Sequence, residues 1–251
     1  MSGIFIGTSG WHYKSWHGPF FPMELRPQDH LRFYADRFCT TELNAVFYRT
    51  PSLETVYAWR EQTPECFLFA WKASKFITHW KRLSANSQNS LELMESRLQA
   101  LGPKAGPVLF QLPPGMRSDR ERIAAFLNLI PRRWQCAFEF RHASWYDEEI
   151  FEVLRGHDVA LCFSDHHDAP APWVVTAGHV YIRGHGPGGR YCGAYADATL
   201  RDWTRRIKAF AHEGRAVYCY FDNDQKSAAP KDAGRLCAML RGRVGVAKPA
   251  G

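Results

Sequence analysis

Polar groups close an apolar run in FEFRHASW, residues 138–145. Glu139, Arg141 and His142 stand there, and a buried carboxylate or guanidinium costs several kcal/mol unless it is paired. In an extended segment residues i and i+2 share a face, so Glu139 and Arg141 face one way and Phe138 and Phe140 the other. Other apolar runs end in the same fashion. Glu42 and Asn44 share a face in ELNAVFY, and Lys72 follows Leu68 and Ala70. Gln111 follows Leu109. Arg183 and His185 follow Tyr181, and Asp222 follows Tyr218 and Tyr220, with Asp224 just beyond. The same rule puts Thr8 behind Ile6, and Asp165 behind Leu161 and Phe163.

These residue types define a chemistry. Arg141, Arg183 and Lys72 are donors suited to phosphate or carboxylate. His142 and His185 move protons near neutral pH. Glu139 is a candidate acid or base, kept ionised by cationic neighbours, and Asp222 adds a second carboxylate. Glu139, His142, His185 and Asp222 are therefore the candidate catalytic residues. Thr8, Ser9, Glu42, Asn44, Lys72, Gln111, Arg141, Asp165, Arg183, Tyr220 and Asp224 are candidate substrate contacts, with Trp11, Tyr13 and Trp145 as flat stacking surfaces. Gly7, Ser9 and Gly10 read as a backbone loop able to cradle an anion. Asp165, His166, His167 and Asp168 cluster in sequence, with Asp222 and Asp224 further on. No HExxH or CxxC spacing supports a metal site, so no ligand set is assigned. The cofactor stays unknown, a divalent metal among the options.

The elements that must position these groups are short and regular. Strands are expected at Ile4–Gly7, Thr41–Phe47, Phe67–Trp71, Val108–Gln111, Cys136–Phe140, Val159–Phe163, Val180–Ile182 and Val217–Phe221, all rich in β-branched and aromatic residues. Helical spacing marks Pro27–Arg37, Leu53–Glu61, Ser87–Leu101, Ser118–Ile130, Asp147–Arg155, Asp197–His212 and Asp232–Arg241. Ser118 opens a capping-box pattern. Strand and helix alternate through eight strands, the rhythm of a TIM-like (β/α)8 barrel. After the sixth strand, SDHHDAPAPWVVTAG carries two prolines and reads as a loop in place of a helix. A doubly wound sheet is the alternative, but no GxGxxG follows the first strand. One domain over 1–241 and a flexible tail over 242–251 are expected. In a barrel the strand ends converge at one mouth, so the charges of FEFRHASW are expected there.

Seven motifs also carry a family resemblance: GTSGWHYKSWHGPFFP, TELNAVFYRTP, WKASKFITHW, LGPKAGPVLFQLPP, FEFRHASW, VYIRGHG and VYCYFDND. In this order they resemble the DUF72, or YecE-like, family from Gly7 to about Asp224. The resemblance implies a TIM-barrel-like fold and supplies no reaction. Two positions depart from the family pattern: Gly184 replaces a bulky residue, and Asp222 adds a carboxylate.

Composition narrows the rest. The 251 residues carry 32 Lys and Arg against 25 acids, a formal charge of +7. This balance suits an anionic small molecule or nucleic acid, although the basic residues are dispersed. No run approaches the roughly 20 apolar residues of a membrane span, and the N-terminus does not read as a signal peptide. Seven scattered cysteines without CxxC read as reduced thiols in a cytoplasmic protein. Oligomeric state is not legible. Three functions fit: a hydrolase or phosphoryl-group enzyme acting on an anionic, phosphate-containing substrate; a non-catalytic module binding nucleic acid or a phosphorylated metabolite; or a carbohydrate-active enzyme using Glu42 and Glu139.

Overall fold

The computed structural model describes residues 3–189 and 191–241, so the expected tail at 242–251 lies outside the described residues. Eight strands run in parallel: β1 (Ile4–Thr8), β2 (Thr40–Leu43), β3 (Leu68–Lys72), β4 (Ala105–Gln111), β5 (Cys136–Glu139), β6 (Val159–Ser164), β7 (His179–Gly184) and β8 (Ala216–Phe221). From β2 to β8 each strand pairs with its sequence neighbour, and β8 pairs with β1. The helices are α1 (His30–Ala35), α2 (Leu53–Glu61), α3 (Gln88–Leu101), α4 (Arg120–Leu127), α5 (Glu148–Gly156), α6 (Asp197–His212) and α7 (Ala228–Arg241). None intervenes between β6 and β7. This is a TIM-like (β/α)8 barrel with a loop in place of its sixth helix.

Two apolar layers follow from strand alternation. The inner layer contains Ala70, Leu109, Ala137, Ala160, Cys162, Tyr181, Tyr218 and Tyr220. Small residues on some strands make room for three tyrosines from β7 and β8. The outer layer, where helices cover the strands, holds Ile6, Phe69, Phe110, Phe138, Leu161, Phe163, Ile182 and Phe221.

The seam between β1 and β2 is closed differently from the other strand pairs. Ser9 and Glu42 form one isolated bridge, with the Gly10 N–H donating to Glu42 O at 2.7 Å. Below it the Tyr34 hydroxyl from α1 stands between the strands. It accepts from the Thr8 N–H (2.9 Å) and donates to Thr40 O (3.0 Å). A side chain thus replaces a ladder hydrogen bond and leaves neither backbone group unpaired. Gly7 permits the close approach: a Cβ there would sit 2.2 Å from Thr40 O.

Several boundaries differ from expectation. The strand expected over Thr41–Phe47 ends at Leu43 and turns into a 3-10 turn, Ala45–Phe47. Helix α1 is short and follows a 3-10 turn at Pro27–Asp29. Asp119, not Ser118, caps α4, its carboxylate accepting the Arg122 N–H at 2.9 Å. Helix α7 starts four residues early, because Pro230 falls in the first turn, where its missing N–H costs nothing.

Candidate functional site

Alternation along each strand decides which polar group reaches the mouth. Glu42, Lys72, Gln111, Glu139, Arg183 and Asp222 continue the inner-layer parity of their strands, and Asn44, Arg141, His185 and Asp224 lie beyond the ends. On β1 and β6 the parity is the opposite of that expected. Ile6 belongs to the outer layer and Phe5 packs against the inner one. Thr8 therefore faces outward, where its hydroxyl meets Tyr34 Oη at 2.9 Å, and Ser9 reaches the mouth instead. Leu161 and Phe163 are likewise outer-layer residues, so Ser164 faces in and Asp165 does not. Asp165 accepts from the His185 N–H (2.6 Å) and from the Tyr195 hydroxyl, tying the end of β7 from outside.

Arg183 is the hub of the mouth. Its side chain is fully buried and contacts three carboxylates. It meets Glu42 as a fork, Nε to Oε2 at 3.0 Å and Nη2 to Oε1 at 2.8 Å. Nη1 donates to Glu139 Oε2 at 2.7 Å and Nη2 to Asp222 Oδ2 at 2.8 Å. Ser9 and Tyr181 complete the Glu42 carboxylate, their hydroxyls donating at 2.5 and 2.7 Å. Arg183 is thus engaged by protein and is not offered to a phosphate. Glu42 and Glu139, both fully buried and gripped by this guanidinium, are not presented as a glycosidase pair.

Glu139 holds two further groups. Arg141 Nε lies 2.6 Å from its Oε1, an ion-pair contact whose N–H direction makes no aligned hydrogen bond. His185 Nε2 lies 3.0 Å from the same oxygen, and His185 Nδ1 lies 3.2 Å from Asp222 Oδ2. Burial opposes ionisation of Glu139, but Arg141, Arg183 and His185 hold it well below the usual carboxylate range. Burial opposes ionisation of Asp222 too, and Arg183 and His185 hold it below its ordinary value.

Above this sealed layer lie groups with unused capacity. Lys72 donates to Asn44 Oδ1 at 3.1 Å and stands over the Phe47 ring. Burial, aided by Arg183 and opposed by the carboxylates, pushes its ammonium down to about 8. Arg141 approaches His185 Nε2 with Nη2 at 3.4 Å. Asp224 is the counterpart of Asp222. Burial first, then the Asp222 charge, push its carboxyl up to about 9. Its Oδ1 is buried without a hydrogen-bond partner among the described residues. Tyr13 contacts it, and the phenol proton goes to Ser9 O at 2.5 Å.

The cations dominate the field on one side. Burial and then Lys72, Lys75 and Arg141 push His79 down to about 4. His166 is pushed down to about 4 by burial, Arg141 and His185. Ser164, His79 and His166 were not among the expected site residues. His79 lies within WKASKFITHW and His166 within SDHHDAP, so both sat in segments that stood out in the sequence.

The remaining candidates fall elsewhere. Trp145 is fully buried, stacked on Phe140 at 4.7 Å, and its Nε1 donates to Met116 O at 2.7 Å. It packs the outer layer. His142 caps the turn Ala143–Trp145, its Nδ1 accepting the Ser144 N–H at 3.1 Å, and joins no described ion pair of the mouth. The amides of Ser9 and Gly10 are taken by Phe221 O and Glu42 O, so they form no anion cradle. Tyr220 lies beneath the charges, bonded to Thr40 at 2.8 Å. Gly184 faces the outer layer, where a Cβ would meet Tyr195, Trp203 and Phe221. His166, His167 and Asp168 bring three ligand-type atoms within 4.8 Å of one another; His167 and Asp168 are exposed. The two histidines and the carboxylate fit a divalent cation by donor type, but Arg141 beside His166 opposes one. No described helix is long and apolar enough to cross a membrane.

Residues 5–250 match the family described as "Protein of unknown function DUF72". The chain belongs to the DUF72 family. It is 25% identical over 270 aligned residues to the UPF0759 protein YunF of Bacillus subtilis, covering 94% of both chains. It is 31% identical to the UPF0759 protein YecE of Escherichia coli K12 over 157 residues, 61% of this chain and 54% of YecE. A crystal structure of a DUF72 family protein from Thermotoga maritima superposes with a TM-score of 0.86 at 25% identity, covering 95% of this chain and 99% of that one. The DUF72 relatives thus share the barrel, and their names add no reaction to it.

Proposed function

We propose that this DUF72 protein is a hydrolase of anionic phosphate esters, working at the C-terminal mouth of the barrel. The observation that carries this reading is the pair Asp222 and Asp224. One is held ionised by Arg183 and the other is pushed up to about 9. Two carboxyl groups driven apart in this way mark an acid beside a fixed negative charge.

Lys72 and Arg141 bind the phosphate, since Arg183 is already occupied. A water oxygen bonds to phosphorus as the P–O bond to the leaving group breaks. Asp224 gives its proton to the leaving oxygen, and the proton shed by the water restores it. Glu139 acts at one remove, holding Arg141 and His185 in place. Buried neighbours lock these side chains, and such preorganisation is what an acid–base site needs.

The test is hydrolysis of diphenyl phosphate, whose more basic phenolate leaving group calls for a proton, with and without divalent metal, by wild type and Asp224→Asn. The variant is expected to lose roughly 10²–10⁴ in kcat, the range for a general acid, while its thermal unfolding stays cooperative. Full activity in Asp224→Asn, or no hydrolysis by wild type under either condition, would sink the proposal.

A further inference from the structure

Two cavities flank the mouth on the β2 and β3 side. The first, about 330 Å³, is lined by Trp11, Tyr13, Asn44, Tyr48 and Trp59 among others. The second, about 430 Å³, is lined by Tyr48, Arg49, Lys75, Phe76 and Trp80 among others. They share Val46 and Tyr48, so they form one track. The first reaches the mouth directly, because Tyr13 contacts Asp224 and Asn44 holds Lys72.

The rings along this track are left in water. Tyr48 is 74% exposed and Trp80 69%. Large exposed aromatics grouped in one place mark an interaction site. Local backbone presents them. Phe76–Trp80 is a π-turn closed by Lys81 N–H to Phe76 O at 2.8 Å, and it sets Phe76 and Trp80 edge to face at 5.8 Å. The turn ends on Arg82 and Leu83, both with positive φ (47° and 63°). Two successive non-glycine residues in that region are costly, and such strain persists where surrounding structure imposes it. Charge has one sign here. Arg49 and Lys75 line the track, Lys81 stands over the Phe76 ring at 5.3 Å, and no described carboxylate lines either cavity.

Flat rings alternating with cations, beside a phosphate-binding mouth, match unpaired bases on a phosphate backbone. A duplex keeps its base faces stacked on each other and cannot offer them. We infer that the substrate is a single-stranded nucleic acid, its bases stacking along Tyr48, Phe76 and Trp80 while its backbone enters the mouth at Lys72 and Arg141. This rests on the phosphate-ester reading and names its substrate class.

The experiment is fluorescence anisotropy with labelled oligo-dT and oligo-U, a duplex of the same length, and polyphosphate as competitor. Tyr48→Ala and Trp80→Ala are compared with wild type; both residues are exposed, so folding should survive and circular dichroism checks it. The expected result is tighter binding of either single strand than of duplex, weakened roughly 5- to 150-fold by each substitution, the range for one lost base stack. Equal affinity for duplex, equal competition by polyphosphate, or no effect of the two substitutions would overturn the inference. Hydrolysis of diphenyl phosphate without oligonucleotide binding would overturn it alone and leave the hydrolase reading standing.

Discussion

Arg183 and Glu42 form a two-pronged ion pair, 3.0 and 2.8 Å, with neither side chain exposed to solvent. They come from strands β7 and β2, on different parts of the wall, so the pair spans the barrel interior. Around it three cations, Arg183, Arg141 and Lys72, face three carboxylates, Glu42, Glu139 and Asp222. A buried pair of this kind is weak evidence of stability, yet removing one partner is expensive.

Arg183→Met leaves three carboxylates buried without their common partner. It is expected to cost roughly 3–5 kcal/mol or more. Arg183→Lys keeps the charge but not the fork and should fall between that variant and wild type. Urea unfolding gives both values, and an unchanged midpoint for Arg183→Met would contradict the hub.

Asp224 makes stability depend on pH. Its folded pKa of about 9 lies above the ordinary 3.8, so between these values the folded state binds the extra proton. Its contribution is fully present below pH 3.8 and is lost as pH rises through about 9. Asp224→Asn removes that loss, so the variant should gain stability relative to wild type from pH 5 to pH 9. Parallel thermal melts across this range check the sign; a constant difference would mean that Asp224 is ionised throughout.

Lys72 has the opposite slope. Its folded pKa of about 8 lies below the ordinary 10.5, so the unfolded chain binds more protons between those values. Its penalty is present below about pH 8 and is relieved as pH rises to 10.5. The difference in stability between Lys72→Met and wild type should therefore move in favour of wild type as pH rises from about 8 to 10.5. The same substitution should raise KM for a phosphodiester roughly 10- to 100-fold, the worth of one charged hydrogen bond, and lower the salt dependence of kcat/KM.

Tyr34→Phe tests the seam. It strips one hydroxyl from a buried backbone N–H and C=O, at Thr8 and Thr40. Unfolding should become easier by about 1–3 kcal/mol, with faster amide exchange at Thr8. Gly7→Ala, whose Cβ would meet Thr40 O, should be worse. Unaltered exchange at Thr8 in Tyr34→Phe would mean that the hydroxyl does not bridge the strands.

Much of this protein was legible residue by residue. Five strands show clear parity because an inner polar end follows inner apolar residues two positions apart: Lys72, Gln111, Glu139, Arg183 and Asp222 reach the mouth as alternation requires, and Glu42 does so behind inward Thr40. The loop in place of the sixth helix was readable from Pro170 and Pro172, which local backbone geometry forbids in a helix interior. Parity failed where the polar residues at the strand end fall on both faces. VALCF is apolar throughout and Ser164 and Asp165 follow it on opposite faces, so nothing local separates Cys162 from Phe163; pairing of Cys162 with Tyr181 in the neighbouring strand does. IFIGTS fails in the same way, because inward Gly7 has no side chain to mark its face.

The sequence by itself determined the order of elements and the polar kind of their ends, because backbone propensity and alternation act over a few residues. Only the tertiary structure decided what those ends do. Arg183 turned from a free anion donor into a sealed hub, Trp145 from a stacking surface into packing, and Asp224 from one more carboxylate into one that burial and Asp222 push up to about 9. Each of those outcomes depends on neighbours far away in the chain, and on burial, which sets both the cost of a charge and its protonation.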